Sequence, residues 1–314
     1  MKNHDRAADS ALPPALPGPS FVLDDARVGR LWCYGGGGGA EVGRAPLVLV
    51  HSVNAAASAF EVRPLYEHFA GARPTYAFDL PGFGLSERSA RVYTPQLMTD
   101  ALLAVVREVR RRHGGAPVDA LAVSLSCEFL ARAAVEEPGA FRTLALVSPT
   151  GFSGPRRRPG PPGSTRAVPG LHALVSTPPL GDAIFWLLTR PRVIRYFLQR
   201  TWGRREIDEG LWAYDVQTVR APGAKHAPLY FVSGHLFSAD VTRLYDALEH
   251  PVWMSHGVRG DFVDYRGAAA MRARANWSFT VFETGALPYF EVPARFVAAY
   301  EAFLAGAAGG PGGG

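Results

Sequence analysis

Lysine is almost absent from this chain: Lys2 and Lys225 are the only two among 314 residues, and arginine supplies the rest of the 33 basic side chains that face 28 acidic ones. The resulting formal charge of +5 comes with no stacking or groove-reading motif, so it reads as bulk composition and argues against a nucleic-acid partner. Cysteine is scarce as well. Cys33 and Cys127 lie far apart with no metal-ligand or redox spacing, so no metal or cofactor is expected and nothing calls for an oxidising compartment. Before Phe21 no apolar run forms the core of a signal peptide, and no uninterrupted run is long enough to cross a bilayer, so the expected location is cytoplasmic. Five consecutive glycines at 35 to 39 are followed by Ala40-Glu-Val-Gly-Arg44 instead of Gly-Lys-Ser or Gly-Lys-Thr. They make a loop and not a phosphate cradle. Internal repeats are absent too.

Apolar residues make up 47% of the chain, enough for one large core plus an insertion. Residues 1 to 19 and the Gly-rich tail from 306 to 314 are expected to be disordered or flexible. Phe21-Val-Leu23 and Val28 to Tyr34 read as opening strands. Pro46-Leu-Val-Leu-Val50, Thr75-Tyr-Ala-Phe78, Thr143 to Val147, Pro251 to Gly257 and Trp277 to Phe282 are short apolar runs of the kind buried on both faces of a parallel sheet. Between them lie helical patterns. Ser58 with Glu61 reads as a capping box opening a helix through Phe69, Thr94-Pro95 starts a helix that Gly114 ends, and Val292 to Leu304 closes the chain. The alternation gives an α/β fold with a mostly parallel sheet. It occupies residues 20 to 152 and 236 to 305, with 153 to 235 inserted.

The most informative stretch runs from Val118 to Pro138, where an apolar strand ends abruptly at Ser124 and a helix begins almost at once. A turn that tight tolerates only small residues two before and two after its apex. Ala122 and Ser126 meet that requirement around Ser124; an apex at Ser126 or Cys127 would put Glu128 or Phe129 in the crowded slot.

This stretch resembles the nucleophile elbow of the α/β-hydrolases, with both usual glycines replaced. Asp79-Leu-Pro-Gly-Phe-Gly-Leu-Ser86 matches at every fixed position the Asp-x-Pro-Gly-x-Gly-x-Ser loop common in that superfamily, where it shapes the fold. His51-Ser-Val-Asn54 stands where these proteins carry His-Gly. The resemblance implies an inserted helical cap, Ser124 as nucleophile, and the backbone N–H groups of Val53 and Leu125 as oxyanion donors. For the acid it offers Asp261 and Asp264. The usual Gly-x-x-Asp spacing, stretched here by one residue after Gly257, favours Asp261.

What the sequence lacks is the base. The family's Gly-His-x-Pro-x-x-Glu-x-Pro frame fits Gly285 to Pro293 without a gap, and the residue under its histidine is Ala286. His256 is the first substitute because it ends the strand that leads to Asp261; His51, His226 and His235 are weaker ones. Three functions follow as expectations. The first is a serine hydrolase with an incomplete triad, acting on a small or lipid-like ester, thioester or amide. The second is a pseudohydrolase holding an apolar ligand or a protein partner, and the third is lyase-type use of the oxyanion hole. The apolar faces of Ala183 to Leu188 and Val193 to Leu198 suit a lid, with Phe185, Leu188 and Phe197 over an apolar pocket; burial there is favoured over membrane contact.

Overall fold

The computed structural model describes residues 12 to 36, 44 to 155 and 158 to 308. Eight strands are joined in one sheet: β1 (Ser20–Asp25), β2 (Gly29–Tyr34), β3 (Leu47–Val50), β4 (Thr75–Phe78), β5 (Val118–Val123), β6 (Phe141–Val147), β7 (Val252–Gly257) and β8 (Trp277–Phe282). Their order across the sheet is β1-β2-β4-β3-β5-β6-β7-β8. β1 with β2 and β2 with β4 pair antiparallel; all the remaining pairs are parallel.

Alternation along the central strands divides the interior into two cores, one on each face of the sheet. Val48, Val50, Ala120, Ala122, Leu144 and Leu146 join the core that packs against α2 (Pro95–Arg112), α3 (Ser126–Glu136) and α9 (Val241–Asp246). Leu47, Leu49, Leu121, Val123, Ala145 and Val147 point the other way, toward α1 (Arg63–Phe69) and the closing helix α11 (Pro293–Ala308). Because both faces are covered, β3, β4, β5 and β7 are buried at every residue and read as continuous apolar runs.

Between β6 and α9 the chain forms five helices: α4 (Leu171–Ser176), α5 (Leu180–Leu188), α6 (Pro191–Trp202), α7 (Glu209–Thr218) and α8 (His226–Val232). A short α10 (Pro288–Glu291) precedes α11. α6 buries the stripe Ile194, Leu198 and Trp202, whereas α5 buries only Gly181 and leaves Trp186 and Leu187 exposed. Apolar burial is therefore extensive along α6 and slight along α5. No helix among the described residues is long and apolar enough to cross a membrane.

Three expectations need correction. Residues 12 to 19 are not disordered: Ala15 and Leu16 are buried, the N–H of Ala15 donates to Tyr34 Oη at 3.2 Å, and Tyr214 Oη donates to the carbonyl of Pro13 at 2.7 Å. At the other end α11 continues through Ala308, past the expected boundary at Gly306. Residues 1 to 11, 37 to 43 and 309 to 314, which include most of the glycine run and the tail, lie outside the described residues. The Ser58–Glu61 capping box does not close. Ser58 caps the turn by accepting from the N–H of Phe60 at 3.3 Å, but the carboxylate of Glu61 turns to the loop after β3.

Candidate functional site

Ser124 sits between β5 and α3 with φ at +55°, a left-handed backbone that a residue bearing a side chain rarely adopts. The turn is held from both directions. The N–H of Ser124 donates to the carbonyl of Val147 at 2.8 Å, and its own carbonyl accepts from the N–H of Cys127 at 3.1 Å. The small neighbours serve the turn differently: Ala122 is enclosed in the sheet, while Ser126 Oγ donates to the carbonyl of His51 at 2.5 Å and ties the elbow to the loop after β3.

That loop is fixed by two buried side chains. His51 accepts from the N–H of Leu80 through Nε2 at 3.0 Å, which leaves Nδ1 to donate to the carbonyl of Ser52 at 2.6 Å. Glu61 takes the N–H of Ser52 at 2.7 Å and Asn54 Nδ2 at 2.7 Å, one on each carboxylate oxygen. Both polar groups of the Ser52 backbone are thus engaged, and the peptide leading into Val53 cannot rotate freely. Neither the Val53 N–H nor the Leu125 N–H has a protein acceptor among the described residues. Leu125 also stands at the start of α3, where helix partial charge favours an anion.

A cavity of about 360 Å³ lies over these groups. Ser52, Val53, Ser124 and Leu125 line it from the sheet side, Ala286 and Leu287 from the loop after β8, and Leu188, Ile194, Phe197, Leu198 and Leu211 from the insertion. Of the three residues expected to supply apolar surface, Leu188 and Phe197 do so and Phe185 does not reach the wall. Phe197 is 53% exposed and Phe262 55%, so both stand at the rim of the cavity and not within it.

Asp261 also lines the cavity, but it is exposed and pairs with Arg200 of α6, 2.7 Å from Nε and 2.5 Å from Nη2. Asp264 lies off the cavity, accepting from the N–H of Gly154 and from Arg266, whose guanidinium holds its carboxyl well below the usual range. His256 is buried and stacked on Tyr265 with ring centres 3.9 Å apart, its Nδ1 donating to the carbonyl of Gly257 at 2.8 Å. Burial pushes its pKa down, and its Nε2 has no partner. No histidine among the described residues lines the cavity, and none makes a hydrogen bond to Ser124. His51 is spent on the loop, His235 lies against Ser233 and Tyr230, and His226 belongs to α8 away from the wall.

Ala286 is buried at the cavity wall, its N–H donating to the carbonyl of Thr201 at 2.9 Å and its carbonyl accepting from Ser148 Oγ at 2.6 Å. The structure brings together Ser124, Val53, Leu125, Ala286 and Asp261 around one space and leaves His256 outside it. Two acids on the wall escaped the sequence reading. Glu61 looked like a helix cap, and Asp215 sits mid-helix in the insertion, where no local pattern distinguishes it from a surface carboxylate. Among the described residues no three His, Cys, Asp or Glu side chains cluster as a metal site would require.

An eight-stranded, mostly parallel sheet with a strained serine between strand and helix, under an inserted run of helices, defines an α/β-hydrolase fold. The sequence model of the alpha/beta hydrolase family matches residues 47–299, and the chain belongs to that family. No match is found among curated protein sequences. Solved structures resemble it in fold. A thermophilic esterase from Thermogutta terrifontis has a TM-score of 0.67 at 18% identity, covering 92% of this chain and 99% of that one. A probable hydrolytic enzyme from Pseudomonas aeruginosa PAO1 gives 0.66 at 19% identity, with 91% and 94% covered. The 2-hydroxy-6-oxo-6-phenylhexa-2,4-dienoate hydrolase from a Rhodococcus species, strain RHA1, gives 0.65 at 17% identity, with 91% and 99% covered.

Proposed function

We propose that the protein is a serine hydrolase with an incomplete triad, acting on a small or lipid-like ester, thioester or amide through Ser124. The observation that carries this reading is the strained elbow itself: φ of +55° at a residue with a side chain costs on the order of 1 kcal/mol, and it sets Ser124 at the cavity wall beside two backbone N–H groups that are unengaged among the described residues. In this reading the hydroxyl oxygen adds to the substrate carbonyl, and the charge that develops on the carbonyl oxygen is held by the N–H groups of Val53 and Leu125. His51 and Glu61 are positioning residues, because they fix the Ser52 peptide that aims Val53. The apolar residues of α6 form the cap surface that takes the acyl or alkyl part.

With Ala286 in place of an imidazole, the serine proton has no protein acceptor among the described residues and leaves to water. In related mechanisms loss of the base costs roughly a millionfold in turnover, so only activated substrates with good leaving groups react at an appreciable rate. That no imidazole among the described residues lines the cavity favours a second reading, a pseudohydrolase that binds the same ligands without turning them over. A fluorophosphonate probe separates the two. Covalent labelling of the wild type that disappears in Ser124→Ala supports the hydrolase reading; a folded wild type that takes no label over hours leaves the binding reading.

A further inference from the structure

The cavity wall is apolar except at a few places, and the least explained of these is Asp215. It lies in α7, is 2% exposed, has an enclosed Oδ1, and its carboxyl makes no hydrogen bond or ion pair among the described residues. A buried polar group without a partner is costly, and a carboxyl more so than an amide or hydroxyl. Nothing in the packing of α7 demands it: the helix already buries Leu211, Tyr214 and Thr218, and an apolar residue would suit the same position. The second acid on the wall is Glu61, 3% exposed, whose two oxygens each accept one neutral N–H and retain acceptor capacity. Arg200 is the only basic side chain on the wall among the described residues, and Asp261 already engages it.

We propose that Asp215 and Glu61 form a recognition site for a protonated amine carried by the ligand of this cavity. An ammonium group brings three donors and one positive charge, which is what two poorly partnered acids in an apolar enclosure lack; a hydroxyl brings one donor and no charge. In the free protein, burial first and the Glu61 charge second raise the Asp215 pKa and so favour its protonated form. When the ammonium arrives already protonated, Asp215 releases its own proton to solvent and becomes the counter-charge. The apolar wall formed by Ile194, Leu198, Leu211 and Phe231 takes the alkyl part. The ligand class is therefore an aliphatic amine. If the Ser124 reading holds, and the inference rests on that reading only for this step, the substrate is an ester, thioester or amide bearing such an amine.

The test is calorimetric titration of the full chain with hexylammonium, hexanol and hexanoate, carried out in the Ser124→Ala background so that hydrolysis plays no part. Hexylammonium is expected to bind at least tenfold more tightly than either of the other two, and Asp215→Asn to remove that preference. Asp215→Leu should abolish amine binding and at the same time raise the thermal midpoint, because it deletes the unpartnered carboxyl; if that variant does not fold, the Asn variant decides. Equal affinity for the ammonium and the alcohol, no measurable binding of hexylammonium at millimolar concentration, or an Asp215→Asn variant that still prefers the amine would each overturn the proposal. None of these results depends on whether the protein turns over an ester. The outcome therefore stands apart from the fluorophosphonate experiment.

Discussion

Ser148 Oγ donates to the carbonyl of Ala286 at 2.6 Å, joining the end of β6 to the loop after β8. With the Ala286 N–H held by Thr201 on the other side, the backbone at this position is fixed in a wall that it shares with Ser124. At a wall position fixed in this way, a side chain longer than methyl is expected to extend into the cavity. Ala286→His should then raise hydrolysis of p-nitrophenyl butyrate by about a hundredfold or more, the usual contribution of a positioned general base. Overpacking costs about 1 to 3 kcal/mol, so thermal unfolding is measured alongside. The gain must vanish in Ala286→His combined with Ser124→Ala. A folded single variant with wild-type rate would mean that the ring does not reach the hydroxyl.

Asp261 enters that experiment as the group that would orient a new imidazole. In the present chain it forms an ion pair with Arg200, both side chains more than a third exposed, and such pairs contribute about 0 to 1 kcal/mol. Asp261→Asn is therefore expected to shift the urea midpoint only slightly, while removing most of the rate gained by Ala286→His. If the gain survives intact, the acid lies elsewhere or is not needed.

The loop after β4 depends on one close approach. Asp79 is fully buried and accepts from Tyr34 Oη at 2.9 Å, the N–H of Ala59 at 2.7 Å and the N–H of Leu85 at 2.9 Å. A Cβ on Gly84, whose φ is +49°, would fall 1.9 Å from the carboxyl carbon of Asp79. Gly84→Ala must push the carboxylate off at least one of those donors, and a loss of about 3 kcal/mol in denaturant unfolding is expected. A change below about 1 kcal/mol would show that the loop relaxes at little cost.

The parts of this molecule that were legible in the sequence are those whose causes are local. The strands β3, β4 and β5 are short and buried on both sides, so their apolar runs announce them. Ala122 and Ser126 mark the elbow because sterics act within five residues, and Thr94 with Pro95 marks the start of α2 through its own cap, Thr94 accepting from the N–H of Leu97 at 3.1 Å. The role of Glu61 is not legible for the opposite reason. Its spacing from Ser58 fits a capping box, yet its partners are Ser52 and Asn54, brought in by the return of the chain from β3. Asp215 gives no sequence signal, since its burial comes from packing α7 against α6 and the turn at Ala59–Val62. The exposure of Phe197 was hidden likewise, because an apolar residue in a helix does not say which neighbour, if any, will cover it.

The buried carboxyl of Asp215 has a consequence for stability that can be read against pH. Its folded pKa lies above its ordinary value of 3.8, raised first by burial and then by Glu61, so between those two values the folded chain binds one proton more than the unfolded chain. Stability contributed by this group therefore falls as pH rises from about 4 upward, by about 1.4 kcal/mol for each unit of elevation traversed. His256, whose pKa burial lowers, tilts the profile the other way below about 6.5, where the unfolded imidazole takes up a proton that the folded one refuses. Comparing the wild type with Asp215→Asn cancels the histidine term and isolates the carboxyl. The variant is expected to be more stable than the wild type at pH 7, with the difference shrinking as the pH falls through the folded pKa toward 4. Thermal midpoints measured every half unit decide the matter: parallel profiles for the two proteins would mean that Asp215 ionises freely in the folded state, and that the cavity wall admits enough water to solvate it.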